Sequence, residues 1–117
     1  MGQIAPGLAT IRIRADFLAA NKAQRAPTTG FVLLVRSRDD GDPAMRAGFT
    51  VTKKIGDSVV RNRLKRRLRA LARDVLPVAG VAGADHVLIG RDGGLTRDFA
   101  DLGDDLRRAL AKCSRAC

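Results

Sequence analysis

Between Ser58 and Leu76 large aliphatic residues recur at Val60, Leu64, Leu68, Leu71 and Val75, in steps of four, four, three and four. At about 100° per residue those steps fall on one stripe of an α-helix, a pattern that the two-residue period of a strand does not give. Asp57 or Ser58 can cap the start by accepting a backbone N–H bond, and Pro77 predicts the stop, so the helix is expected to end near Leu76. Opposite the stripe the surface is almost wholly cationic. Asn62, Lys65, Arg66, Arg69 and Arg73 cluster there, and Arg61 and Arg63 flank them. Arg67 falls near the apolar edge, where its stem can snorkel. The fold must therefore cover one side of this helix with apolar surface and leave the other side open.

Charge is concentrated in the same place. The 117-residue chain carries a formal net charge of +10, with a pI of about 11.2. From Lys53 to Arg73 nine basic residues stand against one acid, Asp57, so this stretch holds +8 and the remainder +2. Solvated helix faces usually mix signs. A face of like charges repels itself, at a cost that a bound polyanion relieves. Arginine suits the task because its planar fork takes two phosphate oxygens at once or stacks on a base. If about five of these cations meet phosphates, log affinity falls with log salt at a slope of roughly −3.5 to −4.5. A membrane-surface helix fits less well, because the stripe is narrow and has no aromatic residue to enter lipid.

The rest of the chain reads as one α+β domain over residues 1–117, an α/β sandwich with a single mixed central sheet and about three helices. The first nine residues, with Gly and Pro and no period, read as a frayed lead-in. A short helix is predicted from Ile13 to Lys22, then a loop over Ala23–Thr29 around Pro27. Phe31 to Arg36 reads as a strand, with room for a small extra strand before it. Ser37 to Ala44 is turn-rich. Met45 to Lys53 alternates, with Met45, Ala47, Phe49 and Val51 on one face, and the two runs read together as a hairpin. After the basic helix, Pro77 to Ala84 reads as a linker and His86 to Gly90 as a buried strand. A final helix capped by Thr96 carries the stripe Phe99, Leu102, Leu106, Ala109 or Leu110, and Cys113. The order is α-β-β-α-β-α.

Several chemistries find no support. No Ser-His-Asp or Cys-His set is available, and the single histidine, His86, reads as a satisfied core residue. One histidine and two cysteines make a zinc site improbable. Cys113 and Cys117 lie one helical turn apart and would stay reduced in a cytosolic chain. Asp101, Asp104 and Asp105 read as a solvated helix face. No catalytic and no metal-ligating residue is assigned. No apolar run is long enough to span a bilayer and the start lacks a signal-peptide pattern, so a cytoplasmic location is expected.

The run from Arg46 to Arg69 carries the pattern G-x-x-V-[ST]-K-K-x-G-x-x-V-x-R-N-R-x-K-R-x-x-R, long and without gaps. This segment resembles the defining segment of the bacterial ribonuclease P protein component. The likeness extends to Asp16-Phe17, to Phe31-Val32-Leu33, and to the Asp85–Arg91 strand with its following helix. It implies a left-handed βαβ crossover through the basic helix, against the usual right hand. It also implies that a large RNA subunit performs catalysis. In this family that RNA holds magnesium, and the protein alone binds none. The partners implied are this RNA and precursor tRNA, with no membrane and no obligate protein partner. The complex removes the 5′ leader to mature the tRNA 5′ end.

Carried over, the likeness assigns Arg61, Asn62, Arg63, Lys65, Arg66, Arg69 and Arg73 to the RNA subunit. It assigns Phe17, Leu34, Arg46, Thr50, Thr52, Lys53 and Lys54 to the leader. Asn62 could also reach back to backbone near the helix start. Two positions depart from the pattern. Asn21 and Leu34 stand where relatives often carry aromatics, and stacking is worth roughly 1–3 kcal/mol per base, so leader contacts here rest more on charge. The other reading of the same residues is a general structural RNA-binding protein, such as a ribosome-associated one; a stand-alone nuclease is a weaker third.

Overall fold

The computed structural model describes residues 3–5, 8–10, 24–37, 41 and 43–116. The helix expected over Ile13–Lys22, with Phe17 and Asn21, lies outside these residues, as does Cys117. Within them a six-stranded mixed sheet carries two long helices. The strands are β1 (Gln3–Ala5), β2 (Leu8–Thr10), β3 (Gln24–Pro27), β4 (Phe31–Ser37), β5 (Met45–Thr50) and β6 (Ala84–Gly90). The helices are α1 (Ser58–Ala79) and α2 (Phe99–Ala116).

The sheet order is β1-β2-β5-β6-β4-β3, and it corrects the expected hairpin. β4 and β5 do not pair. β6 lies between them, antiparallel to β4 from Phe31↔Gly90 to Ser37↔Ala84 and parallel to β5 from Arg46↔Asp85 to Thr50↔Ile89. The physical reason is burial. β6 is covered along nearly its whole length, and a strand apolar on both faces belongs at the centre of a sheet. β5, α1 and β6 thus form a parallel crossover unit. The lead-in also differs from expectation: β1 and β2 pair antiparallel, and β2 continues the sheet beside β5. Residues 24–27 form the small strand expected before Phe31 rather than a loop, pairing with β4.

Both helices pack on one face of the sheet. Leu64, Leu68, Leu71, Ala72, Val75 and Leu76 from α1 meet Leu102, Leu106, Leu110 and Cys113 from α2 over Phe31, Leu33, Ala47 and Leu88. Val60, the first residue of the expected stripe, is only half buried. Asp57 caps α1, its side chain accepting from the Val60 N–H at 3.0 Å. Pro77 does not end the helix; α1 runs to Ala79, and the Gly80 N–H closes on the Leu76 carbonyl. Proline removes the N–H that would meet the Arg73 carbonyl, a small loss in the last turn beside an exposed Arg73, where water can replace it. At the far end α2 starts at Phe99, so Thr96 does not cap it; Thr96 closes a short 3₁₀ turn over Asp92–Leu95.

That turn is the seat of α1. A methyl group on Gly94 would stand 2.6 Å from the Gly30 carbonyl oxygen and 2.8 Å from Leu64, and one on Gly90 would stand 2.6 Å from Leu64. Only hydrogen at these two positions lets the first half of α1 settle so close to the backbone. Leu68, fully buried at the middle of the stripe, should carry much of this packing. Leu68→Ala is expected to lower the unfolding free energy by about 2–5 kcal/mol, read as a shift in urea midpoint with little change in slope.

Candidate nucleic-acid interface

The outer side of α1 holds the sequence-assigned cations together. Asn62, Arg63, Arg66, Arg69 and Arg73 are exposed, and Arg61 and Lys65 are half buried on the flank. Asn62, Arg66 and Arg69 line a shallow depression of about 390 Å³ with Val59, a residue that the sequence reading did not single out. Its position three before Asn62 is the signal that would have found it. The Arg61 Nε is shut away from solvent without a hydrogen-bond partner. An unmet buried donor is costly.

One cation of the run is spent inside the protein. The Arg67 Nε donates to the Gly94 carbonyl at 2.9 Å, and its Nη2 donates to the Arg97 carbonyl. Arg67 therefore grips the 92–97 turn and fixes the azimuth of α1. The grip continues into α2, where the Arg97 Nε meets Asp105 at 2.6 Å and the Arg108 Nη2 meets it at 2.7 Å. Asp105 is thus a buried, doubly paired carboxylate, not part of a solvated face; Asp101 and Asp104 are exposed. Burial pushes the Asp105 carboxyl up, but the hydrogen bonds from Arg97 and Arg108, with their charges, outweigh it and hold the pKa below the ordinary value. The bond to Asp105, reduced somewhat by burial, raises that of Arg97.

The leader candidates among the described residues lie at the end of β5, on the sheet face away from α1 and α2, and in the turn that follows. Thr50 lies there half buried at the end of β5, and Thr52, Lys53 and Lys54 are exposed in the turn that leads into α1. Two other leader candidates, Leu34 and Arg46, stand in different surroundings. Leu34 is fully buried in a small cluster with Val32, Val87 and Ile89, and a side chain without exposed surface supports this face rather than touching a ligand. Arg46 is committed to Asp85 through two bonds of 2.6 and 2.7 Å, with Arg36 at 3.6 Å from the same carboxylate. Asp85 is wholly buried, and a buried carboxylate depends on paired cations such as these. Arg46 thus has a structural role in the sheet.

His86 behaves as a satisfied core residue. Its Nε2 accepts from the Val81 N–H at 3.0 Å, which leaves Nδ1 as the donor to the Arg46 carbonyl at 3.2 Å. Cys113 is buried in the core. Among the described residues no group of three or more His, Cys, Asp or Glu side chains could hold a metal ion. No helix among them is long and apolar enough to cross a membrane.

The family model for Ribonuclease P matches residues 6–114. The chain belongs to that family. The ribonuclease P protein component of Erythrobacter litoralis is 53% identical over 104 residues, covering 89% of this chain and 84% of that one. The Gluconacetobacter diazotrophicus component is 52% identical over 103 residues, covering 87% and 88%. Among solved structures, the ribonuclease P protein from Thermotoga maritima superposes with a TM-score of 0.73 at 30% identity, covering 88% of this chain and 96% of that chain. Ribonuclease P family membership makes the chain an RNA-binding subunit of an endoribonuclease holoenzyme in tRNA processing.

Two measurements test the brace behind the ridge. Arg67→Ala removes two bonds from a charged donor, each worth about 1.5–3 kcal/mol, and should lower thermal stability while leaving the salt slope of RNA binding unchanged, since no phosphate contact is lost. Asp105 has a lowered pKa, so its contribution is complete above the ordinary aspartate value of 3.8 and fades as pH falls through the lower folded value. Asp105→Asn should flatten this acid limb when unfolding free energy is followed against pH.

Proposed function

We propose that α1 docks this protein onto the catalytic RNA of ribonuclease P, and that the opposite sheet face takes the 5′ leader of precursor tRNA. The observation that carries the first half is the row of Asn62, Arg66, Arg69 and Arg73, exposed along one side of a helix whose other side is fully buried. A rigid comb of guanidinium groups suits the irregular phosphate paths of a folded RNA. Thr50, Thr52, Lys53 and Lys54 continue from the sheet into the start of α1, so leader and RNA subunit would lie on adjoining surfaces. Phe17 completes the leader set by resemblance. Arg61, Arg63 and Lys65 flank the ridge as further RNA-subunit contacts.

On this reading the RNA breaks the phosphodiester bond with its own magnesium, and the protein supplies affinity and orientation. Such a subunit works where precursor tRNA is, in the bacterial cytoplasm. Purified protein alone should leave precursor tRNA intact, whereas adding it to its RNA subunit at low magnesium should stimulate leader removal; no stimulation sinks the proposal. Within that complex, Arg66→Ala with Arg69→Ala should weaken RNA-subunit binding and reduce the magnitude of the salt slope by about 1.4–1.8, two contacts' worth. An unchanged slope would remove α1 from the interface, and equal affinity for unrelated structured RNA would favour a general RNA-binding role.

A further inference from the structure

A surface that only gathers phosphates has no use for a valine and a neutral amide beside its arginines. Val59 is 68% exposed, and it shares the depression on α1 with Asn62, Arg66 and Arg69. The Asp57 cap on the Val60 N–H fixes the first turn, where Val59 sits. The depression is shallow and open to solvent, about 390 Å³, so a flat group laid against it would keep one face free.

We infer that this depression holds one unpaired nucleobase of the RNA subunit, an inference that rests on α1 being the docking surface. The chemistry of each wall matches a base. The Asn62 amide offers a donor and an acceptor side by side, the pair that a base edge presents in return. Val59 gives an apolar contact for the base or its ribose. Arg66 and Arg69 carry planar guanidinium groups that stack on a base face while still meeting flanking phosphates. The base is unpaired because the major groove of an A-form duplex is too deep and narrow for side chains to read, whereas loops and bulges splay their bases outward. The ridge would then bind through charge and choose its RNA through this one pocket.

The test uses the full chain with two RNAs, its own RNA subunit and an unrelated structured RNA of equal length, each titrated across salt. Asn62→Ala and, separately, Val59→Ala are expected to lower affinity for the RNA subunit roughly tenfold. Affinity for the unrelated RNA and the salt slope should not move. One unpaired nucleotide, shielded by wild-type protein from reagents that attack the Watson–Crick edge, should become reactive again with Asn62→Ala. Both residues are exposed, and unchanged melting curves would verify that the variants fold. Equal losses on the two RNAs, a flattened slope, or no loss at all would overturn the pocket. The docking reading would survive that result if Arg66→Ala with Arg69→Ala still flattens the slope. Wild-type protein that fails to prefer its own RNA subunit would overturn both.

Discussion

The burial of the α1 stripe against the sheet and α2 is the contact from which the remaining features follow. Leu64, Leu68, Leu71 and Val75 go inward, and a helix is rigid enough that its opposite side is then fixed in direction. Seven cations in this helix would otherwise drive its segment apart. Apolar burial on one side stabilises the helix enough to hold the charges in register on the other. The glycines at 90 and 94 bring the backbone close to Leu64, and the Arg67 grip on the neighbouring turn prevents rotation. Core packing and cation display are therefore one arrangement seen from two sides.

What the sequence revealed was what local periodicity encodes. The α1 stripe from Leu64 onward, the Asp57 cap, the inward Met45, Ala47, Phe49 and Val51 and the aliphatic stripe of α2 all depend on neighbours within a turn or two, and the structure agrees with these, though β5 ends at Thr50 rather than Lys53. Strand order was not legible, because β4 and β5 are separated by a turn-rich stretch that fits a hairpin as well as it fits a longer excursion. The strand that divides them comes 34 residues after β5. The Pro77 stop signal was overridden at a position where one missing hydrogen bond falls in an exposed last turn.

Charged residues were the least legible. Arg46, Arg67, Arg97 and Asp105 look in sequence like their exposed counterparts, yet each is fixed by a partner distant along the chain or across an element. Arg46 sits 39 residues from Asp85, and no local pattern announces the pair. The cations that do remain available are those for which the fold supplies no carbonyl or carboxylate. For the candidate interface this subtraction is informative: removing Arg67 from the basic run leaves a narrower and more directional set on one side of α1.

The central place of β6 bears on how the chain is made. During synthesis β4 and β5 leave the ribosome well before the strand that joins them, and neither can complete its ladder while it waits. Contacts so far apart in sequence slow folding, because loop closure must precede the pairing that rewards it. In that interval the cationic helix is already out, with nothing yet to hold its aliphatic side. Only once Ala84–Gly90 has paired between β4 and β5 is the sheet complete beneath that aliphatic side.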